Sequence, residues 1–86
     1  MDDPEGLFSM LTDVINNQIR NGTPPETKQT YDRLLAEGYS EEEVMILIGH
    51  IVFMEMFSVL EEGKTYDEER YVAALRRLPR LPSEED

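Results

Sequence analysis

The sequence predicts an all-α, single-domain fold of four helices, with a long central apolar helix wrapped by three amphipathic ones. Three observations carry this expectation. Apolar residues recur at helical spacing in successive segments, and no segment alternates with the period of a strand. Each segment opens on a capping residue and closes on a glycine or a proline. The third segment, Val44 to Leu60 (VMILIGHIVFMEMFSVL), is apolar on nearly every face, which a helix at the surface of a small protein is not.

The first helix is expected to use Asp3 as N-cap and Pro4 at its first position. Leu7, Phe8, Leu11, Val14, Ile15 and Ile19 form its apolar face, with Ser9, Asp13, Asn16 and Arg20 opposite. Gly22 stops it. Thr23-Pro24-Pro25-Glu26 then reads as an N-cap, two prolines and a capping-box glutamate. The second helix runs to about Glu37, burying Thr27, Tyr31, Leu34 and Leu35, and Gly38 ends it.

Ser40-Glu41-Glu42-Glu43 repeats the capping grammar, with Tyr39 placed to staple against Val44 and three acids at the positive end of the dipole. The third helix should reach about Glu62, a length of roughly 33 Å. Asp67 caps the fourth, with Tyr66 positioned to pack on Tyr71. Tyr71, Ala74, Leu75 and Leu78 form its buried stripe, with Val72 alongside, and Pro79 stops it. The domain is therefore set at residues 1–79, with residues 80–86 a short frayed acidic tail.

Eighty-six residues make one domain with a thin stability margin, which partner subunits often widen. The absence of cysteine excludes a disulfide framework, a thiolate metal site and a cysteine nucleophile. An acidic start is the reverse of a secretory leader. The apolar run is shorter than the about 20 residues of a membrane span, and it carries Gly49, His50, Glu55 and Ser58. A soluble, cytoplasmic protein is expected. The net charge of −11 is uneven: residues 1–63 carry −10, residues 64–80 carry +2 and the last six −3. Such a field repels nucleic acid and anionic membrane, so neither is expected as a partner.

Placing the third helix at about 100° per residue sorts its polar side chains. Glu55 falls on the stripe of Val44, Ile48, Ile51, Val52 and Val59, where a lone charge would cost several kcal/mol. It must be neutral or paired, with Tyr31, Tyr66, Tyr71, Gln18, Lys64 and Arg70 as candidate partners. A buried, satisfied structural glutamate is the expectation; a general acid/base is the alternative. A second face holds Glu43, Leu47, His50, Met54, Phe57 and Glu61. Left uncovered, Leu47, His50, Met54 and Phe57 would form a self-complementary strip suited to a two-fold homodimer.

Standard catalytic groupings are missing. His50 is the single histidine, and its helical neighbours at three and four residues are Leu47, Ile46, Phe53 and Met54, none a metal ligand. There is no nucleophile elbow, phosphate loop or calcium loop. No catalytic, cofactor or metal residue is therefore assigned. The five methionines read as core filler rather than as a plastic binding groove.

Two stretches carry resemblances. Leu34-Leu35-Ala36-Glu37-Gly38-Tyr39-Ser40-Glu41-Glu42-Glu43-Val44 resembles the first turn of ubiquitin-associated-type three-helix domains, from which the long apolar third helix departs. Asn21-Gly22-Thr23-Pro24-Pro25-Glu26-Thr27, the turn Glu37-Gly38-Tyr39-Ser40-Glu41-Glu42-Glu43, Glu55, Asp67-Glu68-Glu69-Arg70-Tyr71 and Leu78-Pro79 together resemble a group of small uncharacterised bacterial all-helical proteins. That resemblance implies the fold and a prokaryotic origin, and transfers no catalytic residue. The function expected is a non-enzymatic acidic interaction or regulatory module acting as a homodimer. The alternative is a small enzyme or metal-binding protein centred on Glu55 and His50.

Overall fold

A computed structural model describes residues 4–82. Four helices follow in order: α1 (Pro4–Asn21), α2 (Pro25–Ala36), α3 (Glu41–Glu61) and α4 (Glu68–Arg77), with no strand among the described residues. The expected cap Asp3 and the end of the tail, residues 83–86, lie outside the described residues.

Three of the caps account for where the helices begin. Ser40 opens α3 with a complete capping box: its hydroxyl accepts from the Glu43 N–H at 3.1 Å, and the Ser40 N–H donates to the Glu43 carboxylate at 2.9 Å. Asp67 opens α4, accepting from the Arg70 N–H at 3.2 Å. The start of α2 differs from expectation. Pro24, not Thr23, is the N-cap and makes no side-chain cap bond. A residue that precedes proline is pushed out of the helical region, so Pro24 before Pro25 is held extended (ψ 154°) and the helix begins one residue later. Thr23 bonds the Asn21 carbonyl instead, and Glu26 pairs with Arg76 of α4 at 3.4 Å.

At the other ends, Gly38 and Gly63 take positive φ, which lets the chain turn back onto the last open carbonyls. Tyr39 N–H then reaches the Leu34 carbonyl at 3.2 Å, and Lys64 N–H that of Ser58 at 3.0 Å. These glycine turns bring each new helix promptly back over the last.

α3 packs against all three other helices, while α2 also touches α1 and α4. Ile48, Val44, Ile51 and Val52 of α3 meet Leu11 and Ile15 of α1, Leu34 of α2, and Tyr71, Leu75 and Leu78 around α4 in one core. α3 has the length and composition of a membrane span, and in this fold it is the central helix. Several expected core positions move. Thr30 is buried on α2 while Leu35 is exposed, and Leu7 and Phe8 near the start of α1 are also exposed.

Candidate functional site

Glu55 stands at the junction of α3 and α4 and is 9% exposed. Arg70 grips it with a fork: Nε donates to Oε1 at 3.2 Å and Nη2 to Oε2 at 2.7 Å. The Asp67 backbone N–H donates to Oε2 at 3.2 Å. Of the six partners expected from sequence, Arg70 is the one that binds, and the bond to Glu55 holds its guanidinium above the ordinary value. The amide of Asp67 could not have been read from side-chain spacing. Its contribution is to dock the first turn of α4 onto α3, with the α4 N-cap residue bonded through its own backbone.

The other expected partners are engaged elsewhere. Tyr31 donates to Glu41 at 3.0 Å and Lys64 pairs with Glu62 at 3.3 Å. Gln18 of α1 accepts from the Thr27 hydroxyl at 2.7 Å and from the Tyr71 hydroxyl at 2.9 Å, knitting α1, α2 and α4 with one side-chain oxygen. Burial raises the Tyr71 hydroxyl above its ordinary value of 10.0, opposed in part by its hydrogen bonds. Tyr66 lies across Tyr71 with ring centroids 6.3 Å apart, as expected.

Two grooves flank the ion pair. One, of about 360 Å³, runs between α1 and α3 along Val14, Gln18, Val52, Met56, Val59 and Tyr66. The other, of about 310 Å³, lies between α3 and α4 along Ile51, Met54, Ser58, Arg70, Ala73 and Arg77. Glu55 reaches the wall of both, but its two oxygens already accept three N–H donors. The carboxylate thus ties α3 to the first turn of α4 through three bonds. His50, five residues before it, points some 140° away around α3. Its Nε2 is buried and bonds no protein group. Glu55 and His50 therefore do not converge, and no group of three metal-ligating side chains forms among the described residues.

The uncovered face of α3 is the other prominent feature. Ile46, Phe53, Met54, Phe57 and Leu60 are all exposed, Leu60 at 73% and Ile46 at 52%. Phe53 and Phe57 touch edge to face with centroids 6.5 Å apart. Of the four residues expected to form an interaction strip, Met54 and Phe57 are on this face, while Leu47 and His50 are half-buried at its edge. The open face is thus turned by roughly 60° from the expected one, toward Ile46 and Leu60. The reason lies in how the neighbours seat. A Cβ on Gly49 would stand 3.8 Å from Leu11 and 3.9 Å from Ile15, so α1 comes in on the glycine side. α4 takes the side of Ile51 and Ser58. Gly49 was the signal in the sequence that could have fixed this rotation.

An all-α, four-helix protein with an ion-paired interior glutamate and one open apolar helix face is the class that this geometry defines. Comparison with protein-family models, with curated proteins and with solved structures gave no match.

Proposed function

We propose that the chain is a non-enzymatic, cytoplasmic interaction module that acts as a homodimer through the open face of α3. The observation that carries this reading is the contiguous strip of Ile46, Phe53, Met54, Phe57 and Leu60. Five large apolar side chains lying together on one helix exceed the scattered single hydrophobes that an ordinary surface shows. The strip is bracketed by Glu42 and Glu43 at one end and Glu61 at the other, a polar rim around an apolar centre. The grip of Arg70 on Glu55 supports a structural rather than catalytic role for that carboxylate.

The test is mass by light scattering over a concentration series. The native chain is expected to reach twice its monomer mass. Replacing Phe53 and Phe57 by Gln leaves the core untouched, so the variant should keep its helical circular dichroism and weigh as a monomer. A folded variant with undiminished dimer mass would overturn the assignment to this face.

A further inference from the structure

The groove between α1 and α3, of about 360 Å³, has the dimensions of a small-molecule site. Such sites run from about 300 to 1,000 Å³ and set a few polar groups among mostly apolar walls. Here Val14, Val52, Met56, Val59 and Leu60 supply the apolar walls. On the α4 side stand two aromatic rings, the buried Tyr71 and the exposed Tyr66, with centroids 6.3 Å apart and planes tilted by 53°.

The polar groups decide what such a groove would hold. Gln18 has no acceptor to spare, because its side-chain oxygen already accepts the hydroxyls of Thr27 and Tyr71. Glu55 is different. A carboxylate accepts about four hydrogen bonds, and three N–H donors occupy this one, two on Oε2 and one on Oε1. Oε1 therefore keeps an acceptor site, and the side chain is 11% exposed.

The matching positive charge lies on the other side. Arg70 lines the groove between α3 and α4, together with Arg77, whereas no Lys or Arg lines the α1–α3 groove among the described residues. The ion pair thus turns its negative end toward the α1–α3 groove. The two tyrosines register that field. Burial is the leading cause that raises each hydroxyl above its ordinary value of 10.0, and the charge on Glu55 is a further cause for both. A net charge of −11 adds a long-range attraction for cations.

We propose that the α1–α3 groove binds a small organic ammonium ion carried on an apolar body. The ammonium sits between Glu55 Oε1 and the rings of Tyr66 and Tyr71, and the body lies along Val52, Met56 and Val59. Both the carboxylate and the ring faces attract a cation, and a neutral or anionic molecule of the same shape gains neither interaction. Of the residues on the open strip of α3, only Leu60 also lines this groove, so the site stands apart from the homodimer reading.

The experiment titrates phenethylammonium into the full chain at neutral pH and follows the NMR signals of the groove residues. Phenethyl alcohol and phenylacetate serve as the neutral and anionic shape matches. The signals of Val52, Met56, Val59 and Tyr66 should shift together and saturate. The Kd should be roughly three- to tenfold lower for the cation than for the alcohol, with phenylacetate the weakest of the three. Equal Kd values for cation and alcohol, shifts confined to residues outside the groove, or no saturable shift would each overturn the proposal. In a second arm, Glu55→Gln nearly keeps the shape and removes the charge, so the folded variant should lose the preference for the cation. Val59→Lys places a positive charge on the groove wall at a position already 37% exposed and outside the core cluster. It should weaken phenethylammonium several-fold and change phenethyl alcohol little. If circular dichroism shows Glu55→Gln unfolded, Val59→Lys decides alone, and undiminished cation binding in that variant overturns the proposal.

Discussion

Gly49→Ala is expected to make the protein more stable, although it adds an atom at a buried helix crossing. A glycine inside a helix costs about 0.8–1 kcal/mol relative to alanine, through the freedom that it gives the unfolded chain. The cost of the new methyl depends on space. Its nearest neighbours would be Leu11 at 3.8 Å and Ile15 at 3.9 Å, ordinary van der Waals distances that require no repacking. The φ of Gly49 is not among the positive values, so no backbone strain is released or incurred. The sum is a gain of about 1 kcal/mol, which in a domain of this size raises Tm by roughly 4–8 °C. Gly49→Val extends two further methyls toward Leu11 from a crossing already in contact. Overpacking of that kind typically costs about 1–3 kcal/mol. Thermal melts followed by circular dichroism should therefore show opposite signs for the two variants. A lowered Tm for Gly49→Ala would refute the argument, because it would mean that α1 needs the bare backbone.

Other outcomes follow from the same contacts. Arg33→Ala removes the guanidinium that donates to the carbonyls of Leu78 at 2.9 Å and Leu75 at 3.2 Å at the end of α4, the second of which also accepts the Leu78 N–H. A loss of about 1–3 kcal/mol in urea unfolding is expected, with Arg33→Lys recovering only part, since a single ammonium cannot span both acceptors. Ser40→Ala breaks the capping box and should cost about 1 kcal/mol by the same measurement. Tyr71 has a raised folded-state value, so its contribution to stability is full below its ordinary value of 10.0 and is lost as pH rises through the folded one. Stability of the native chain should therefore fall above about pH 10. Tyr71→Phe should lower stability at neutral pH, by losing the bond to Gln18, and flatten that alkaline decline.

Helix number, order and most boundaries were legible in the sequence because local chemistry sets them. Ser40 with Glu43, Asp67 before its acids and the terminating glycines act within a few residues, so spacing alone reveals them. Where two local rules competed, the reading slipped. Thr23 looked like the cap of α2, but the tandem prolines moved the start and left Glu26 free to find Arg76. The long-range polar contacts were less accessible. That Glu55 would be paired followed from its burial, and Arg70 was one of six candidates. Only the docking of α4 brings that guanidinium 15 positions along the chain into a fork. Arg33 gave no signal at all. It resembles any helix-surface cation until α4 ends beside it, 42 and 45 residues later.

The open face of α3 shows the same division between what a helix dictates and what its neighbours decide. Apolarity all round forces the helix to the centre, but three neighbours cannot cover a full circumference over 21 residues. Some sector must stay open, and the choice of sector belongs to the partners. Gly49 draws α1 in on one side, and the Glu55–Arg70 fork fastens α4 on the other. Between them they leave Ile46, Phe53, Phe57 and Leu60 facing out, rather than the face centred on Leu47 and His50. The ion pair at the α3–α4 seam and the apolar strip on the far side of α3 are thus linked: the contact that seats α4 helps to set which residues of α3 remain available to another chain. Loosening that contact with Glu55→Ala should disturb self-association as well as stability, even though Glu55 itself lies on the opposite side of the helix from the strip.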